Sequence, residues 1–136
     1  MIELSDAAMS TAGIAVLAAI TVTTGGYFLL RINTGRAPAT DFQRRFFRAG
    51  HAHAGMFITL GLVCLLLTEA TALSGGWAWL ARTGVLAAAI LMPAGFFFSA
   101  MGAGRSAPNR WIALLYLGAG FLIAGLLTLG VGLVTA

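Results

Sequence analysis

The chain has 136 residues, of which 60% are hydrophobic and only 9% charged, and its mean hydropathy is +0.94. That balance excludes a soluble globular domain and a nucleic-acid-binding module, and it points to an integral membrane protein. The net charge of +4 comes from eight arginines against four acids, so the placement of the arginines carries more information than their sum.

At about 20 apolar residues per span, four helices fit. The sequence predicts an all-α integral membrane protein, a single four-helix bundle over residues 1–136 with spans at about 10–30, 51–73, 84–103 and 111–135. Alternating strand patterns are absent, and backbone groups in lipid must then be satisfied within helices.

The first span is preceded by Glu3 and Asp6 and by no Lys or Arg, the wrong flank for a cleaved secretory signal, so this helix is expected to be retained. Thr11, Ala15, Ala19 and Thr23 form a row of small residues at four-residue spacing, suited to close helix contact in lipid. The long first connection is broken by Asn33-Thr34-Gly35 and by Pro38. It then runs as Asp41-Phe42-Gln43-Arg44-Arg45-Phe46-Phe47-Arg48, an expected interfacial helical lead-in capped by Asp41, with aromatics toward lipid and arginines toward phosphates. The second span holds the one cysteine, Cys64, which reads as packing. Gly75-Gly76-Trp77-Ala78-Trp79 is expected as an outer turn with an aromatic belt. Pro93 should bend the third span. Ala107-Pro108-Asn109 is the expected inner turn, Trp111 anchors the fourth span, and Gly120, Ala124, Thr128 and Gly132 form a second small-residue row.

Arg31, Arg36, Arg44, Arg45 and Arg48 lie between the first two spans, Arg105 and Arg110 between the last two, and Arg82 alone in the middle connection. The positive-inside rule therefore predicts a multi-pass protein of the inner (cytoplasmic) membrane, with both termini outside and loops 31–50 and 104–110 in the cytoplasm.

His51 and His53, the only histidines, open the second span. Ionisable side chains at membrane depth are costly and are usually functional, and a neutral imidazole is the commonest metal ligand among side chains. Two residues on a helix subtend about 200°, so the two rings point to nearly opposite sides and cannot bind one iron from the same chain. One can face its own bundle and the other a neighbouring subunit, which makes oligomerisation and cofactor binding a single hypothesis. Zinc needs three or four ligands and finds no nearby carboxylate or thiolate here. Heme needs one or two axial ligands and an apolar slot. Gly50, Ala52, Ala54 and Gly55 leave room for a macrocycle, and Arg44, Arg45 and Arg48 are at a level to pair with propionates. The topology signal also accounts for those arginines. Copper bound by histidine together with Met56, Met92 or Met101 is the lesser alternative.

The run Phe46-Phe47-Arg48-Ala49-Gly50-His51, followed by Met56, resembles the start of the second transmembrane helix of the catalytic subunit of heme–copper oxidases and nitric oxide reductases. His51-Ala52-His53 is similar to a His-x-His in a later helix of that subunit, where the two rings serve two hemes. That subunit is similar to three four-helix units around a pseudo-threefold axis, so the resemblance implies a homotrimer binding heme b for electron transfer or small-gas binding. It covers about a sixth of the chain, and the adjacent His-His pair and the His–Tyr helix of the family are missing, so a heme–copper reaction centre is not expected. The family's ligands also lie toward the outer face, whereas the arginines here place His51 and His53 near the cytoplasm. A second resemblance, to small trimeric membrane enzymes of eicosanoid and glutathione metabolism, implies glutathione held by Arg44, Arg45 or Arg48. The Asn and Glu those enzymes use are replaced here by His53, Ala54 and Gly55. A purely structural or partner-binding membrane subunit is the third reading. No catalytic residue and no redox partner is assigned by the sequence.

Overall fold

In the computed structural model, which describes residues 3–136, four long helices follow one another in chain order. The first, α1 (Asp6–Asn33), is capped by Ser5, whose hydroxyl accepts from the Ala8 amide, and Asp6 places a negative charge in the first turn, where the helix dipole favours it. Arg31 occupies the last turn, the complementary position. The second helix, α2 (Asp41–Thr68), begins with a complete capping box: Thr40 Oγ1 accepts from the Gln43 amide, and Gln43 Oε1 accepts from the Thr40 amide. Thr40, and not Asp41, is therefore the cap.

The lead-in and the second span are one continuous helix, so His51 lies ten residues, about 15 Å, inside α2 and not at its start. The third helix, α3 (Gly75–Ala100), opens at Gly75 with φ +57°, and the expected outer turn over Gly75–Trp79 is instead its first winding. The turn itself is 69–74. After the loop 101–109, a 3-10 turn, Arg110–Ile112, capped by Asn109, leads into α4 (Ala113–Val134). All four helices are long and apolar enough to cross a membrane.

The bundle is centred on α3. Half of its apolar window is buried, against 6% for α1. Glycines set this order. A Cβ on Gly84 would stand 2.9 Å from Gly125 Cα, one on Gly95 would stand 2.8 Å from Leu115 Cα, and one on Gly118 would stand 2.9 Å from the Met92 amide nitrogen. Backbone touches backbone along α3 and α4, which is how helices gain dispersion contact where lipid offers no hydrophobic driving force. On α4 the contacts with α3 fall on Gly118 and Gly125, seven residues apart, while Gly132 meets the Leu73 side chain of the turn before α3. Gly120, from the expected row at four-residue spacing, is exposed and has nothing near it. Phe57, Cys64, Ala81, Val85, Ala88 and Leu129 fill the core between α2, α3 and α4.

At the arginine-bearing end the aromatics of α2 turn inward. Phe47 is buried, stacks on Phe97 at 5.4 Å and meets Phe28 edge-on at 5.3 Å, while Phe46 packs on Phe96. The expectation that these rings face lipid is thereby corrected: they close the end of the bundle where α1, α2 and α3 converge. Gln43, also buried, ties the same end together by donating from Nε2 to the carbonyls of Ala100 (2.9 Å) and Gly102 (2.7 Å).

Charge is segregated along the bundle. Seven arginines and Asp41 lie at the end formed by the α1–α2 and α3–α4 connections; Glu3, Asp6, Glu69 and Arg82 lie at the other. Arg82 is not in the connection but within α3, and it is paired with Glu69 at 2.6 Å.

Candidate functional site

His51 and His53 stand on opposite flanks of α2, as their rotation of about 200° requires. His51 faces α1. Its ring edge lies in a notch made by two consecutive glycines, where a Cβ on Gly25 would meet Nδ1 at 3.1 Å and one on Gly26 would meet Cε1 at 3.4 Å. The ring is half-buried and makes no hydrogen bond to protein among the described residues. It divides two grooves: a cleft of about 530 Å³ walled by α1 and α3 over a floor of Ala54 and Ile58, and a smaller one of about 370 Å³ beyond Gly26 and Gly55.

His53 lines neither groove. It is half-buried on the other flank of α2, packed against Phe57 at 5.3 Å and Phe96 at 5.0 Å. Its Nδ1 is 2.7 Å from the carbonyl oxygen of Ala49. A carbonyl can only accept, so Nδ1 carries the proton, and in the uncharged ring Nε2 keeps its lone pair. Metal-ligating histidines are commonly oriented in this way, by donating the other ring N–H to a backbone carbonyl. The local sequence explains the geometry: Ala49 lies one turn below, and its small side chain leaves the carbonyl open to an i+4 ring.

The three candidate arginines do not converge. Arg44, Arg48 and His51 recur at spacings of four and three and so share one stripe of α2, whereas Arg45 lies nearer the stripe of His53. All three are exposed at the charged end, and Arg44 Nε donates to the Ala39 carbonyl. Among the methionines, Met92 packs against Gly118, and Met56 and Met101 are exposed. No three His, Cys, Asp or Glu side chains come together among the described residues, so these residues offer no zinc-type donor set.

Sequence reading missed three features. The Gly25-Gly26 notch was signalled by adjacent glycines inside an apolar span. Gln43 was signalled by its capping-box position after Thr40. The Glu69–Arg82 pair was signalled by a lone acid and a lone arginine flanking one short turn; there Glu69 also accepts from the Ser5 amide at 2.8 Å, which with Arg82 holds its carboxyl below the ordinary value of 4.5.

No family model, curated protein or solved structure matches the chain, so the case for a function rests on this geometry.

Proposed function

We propose that this chain is a heme b-binding protein of the inner membrane, serving electron transfer or small-gas binding, with His53 as the axial ligand. The observation that carries the reading is the 2.7 Å contact of His53 Nδ1 with the Ala49 carbonyl, which leaves Nε2 as a fixed, unprotonated donor. Heme, when bound, would supply an iron that changes valence by one electron or binds a small gas.

The donor set suits such a group. Heme brings four nitrogens of its own, so a single imidazole in aromatic surroundings suffices where a bare ion would need three or four protein ligands. Phe57 and Phe96 offer flat apolar surface beside the ring. Arg45, eight residues or about 12 Å nearer the charged end, is the arginine placed to pair with a propionate, ahead of Arg44 and Arg48. Because His53 lines neither groove, a second copy of the chain would be needed to complete a pocket around it, in keeping with a closed homo-oligomer such as a trimer. His51, with its ring edge against α1, is not directed toward a neighbour. This favours one histidine per iron over a site shared between His51 and His53. The arginine segregation supports cytoplasmic loops at the charged end and both termini outside.

The test is reconstitution of purified protein with heme. A Soret band that persists in His51→Ala and disappears in His53→Ala supports the assignment. A wild-type protein that stays colourless with excess heme overturns it.

A further inference from the structure

α1 is fastened to the bundle at its two ends. At the arginine-bearing end Ile32 is buried, and Phe28 packs on Phe47 at 5.3 Å and on Phe97 at 6.5 Å. Before Ile32 the only buried residues of α1 are Ala8 and Ala15, so no large side chain is locked into the bundle short of that aromatic end. Along its middle the helix runs against α2 and is parted from α3 by the cleft, which reaches Thr11 and Trp79 at the far end. That far end is held by one carboxylate. Glu69, in the turn after α2, accepts from the Ser5 amide through Oε2 at 2.8 Å, and from Arg82 of α3 through Oε1, at 2.6 Å from Nη2 and 3.2 Å from Nε. Three elements therefore meet on one side chain.

No other charge duplicates this junction. Glu3 and Asp6, on the segment that opens α1, are exposed, and Arg82–Glu69 is the one ion pair among the described residues. α4 brings no acid or base to this end, since its one titratable side chain, Tyr116, lies at the other. All three bonds at Glu69 call on an ionised acceptor. The guanidinium holds the charge at Oε1, so an added proton goes to Oε2, and the group facing the Ser5 N–H changes from a charged acceptor to a hydroxyl. The bond weakened by protonation is thus the one to α1. The Ser5 amide and Arg82 together hold the carboxyl below its ordinary value of 4.5, so the junction is intact at neutral pH and gives way as pH falls below that value.

We propose that Glu69 is a proton-released latch: closed, it pins the start of α1 to the α2–α3 turn, and open, it lets α1 swing about its aromatic end and widens the cleft at Thr11 and Trp79. The inference does not depend on heme at His53.

The test is double electron–electron resonance on the full chain in phosphatidylcholine nanodiscs. Spin labels at Met9→Cys and Trp77→Cys, both exposed, span the latched end; labels at Asn33→Cys and Met101→Cys, also exposed, span the aromatic end. Cys64 is buried and stays in place. As pH is lowered from neutral to below 4.5, the first pair should gain a longer distance whose share rises about two- to fivefold, the effect expected of one screened ion contact. The second pair should stay fixed. Glu69→Ala, which removes the acceptors outright, should show the longer distance already at neutral pH and no further change on acidification. If Glu69→Ala does not fold, the wild-type titration alone decides. A Met9–Trp77 distance that is the same at both pH values overturns the proposal. So does a folded Glu69→Ala variant that keeps the neutral wild-type distance or still responds to acid, and so does acid parting both label pairs alike.

Discussion

Replacing Gly95 by Ala adds one methyl group where α3 and α4 are in backbone contact. The new Cβ would lie 2.8 Å from both Leu115 Cα and Leu115 Cβ, and nearer still to the Leu115 amide nitrogen, so the displacement worked from the carbons is a lower bound. Ordinary contacts begin at 3.4 Å, so α4 must move outward by at least about 0.6 Å, and no flexible side-chain end is there to give way. That movement also loosens Gly84 against Gly125 and Gly118 against Met92, since one rigid helix carries all three contacts. Overpacking of this kind costs about 1–3 kcal/mol. Gly120→Ala, at an exposed position on the same helix with nothing within 4 Å, is the matched control. The two variants should differ by about 2 kcal/mol in reversible unfolding in mixed micelles, with Gly95→Ala the less stable. Equal stability would refute the reasoning that glycine contacts set the α3–α4 separation.

Other consequences are as direct. Gln43→Leu leaves the Ala100 and Gly102 carbonyls without their donor and should cost about 1–3 kcal/mol in the same unfolding assay. Glu69 has its carboxyl held low in the fold by the Ser5 amide and Arg82; the stability it contributes is present above the unfolded value near 4.5 and is lost as pH falls below it. At a solvent-screened helix end this amounts to about 0.5–1 kcal/mol, and Glu69→Gln should flatten that part of the pH–stability curve. For orientation, a cysteine at Ser106 should be protected from an impermeant reagent in intact cells and one at Ser74 should react. The reverse pattern would place the charged end outside.

Hydropathy made the four helices legible, because nothing but a helix satisfies the backbone over that much apolar sequence. It misplaced their starts because it stops at charge. Asp41 to Arg48 was set apart as a lead-in although the Thr40–Gln43 box begins the helix there, and arginines remain on a helix by reaching to its polar end. Gly75 and Gly76 read as a turn in the sequence, whereas Gly75 is only the hinge into α3. The small-residue rows read at four-residue spacing, but near-antiparallel neighbours meet every second turn, at seven, and for contact with α3 this selects Gly118 and Gly125 over Gly120. The opposition of His51 and His53 followed from helix geometry alone. Which of them faces α1 did not, because that depends on the Gly25–Gly26 notch contributed by another helix.

The central claim is that His53 presents Nε2 to a heme iron. The most direct measurement is the Soret absorbance of heme-reconstituted wild type, His51→Ala and His53→Ala at equal protein concentration. The account predicts a band in the first two and none in the third. A band lost in His51→Ala and kept in His53→Ala, or absent throughout, would contradict it.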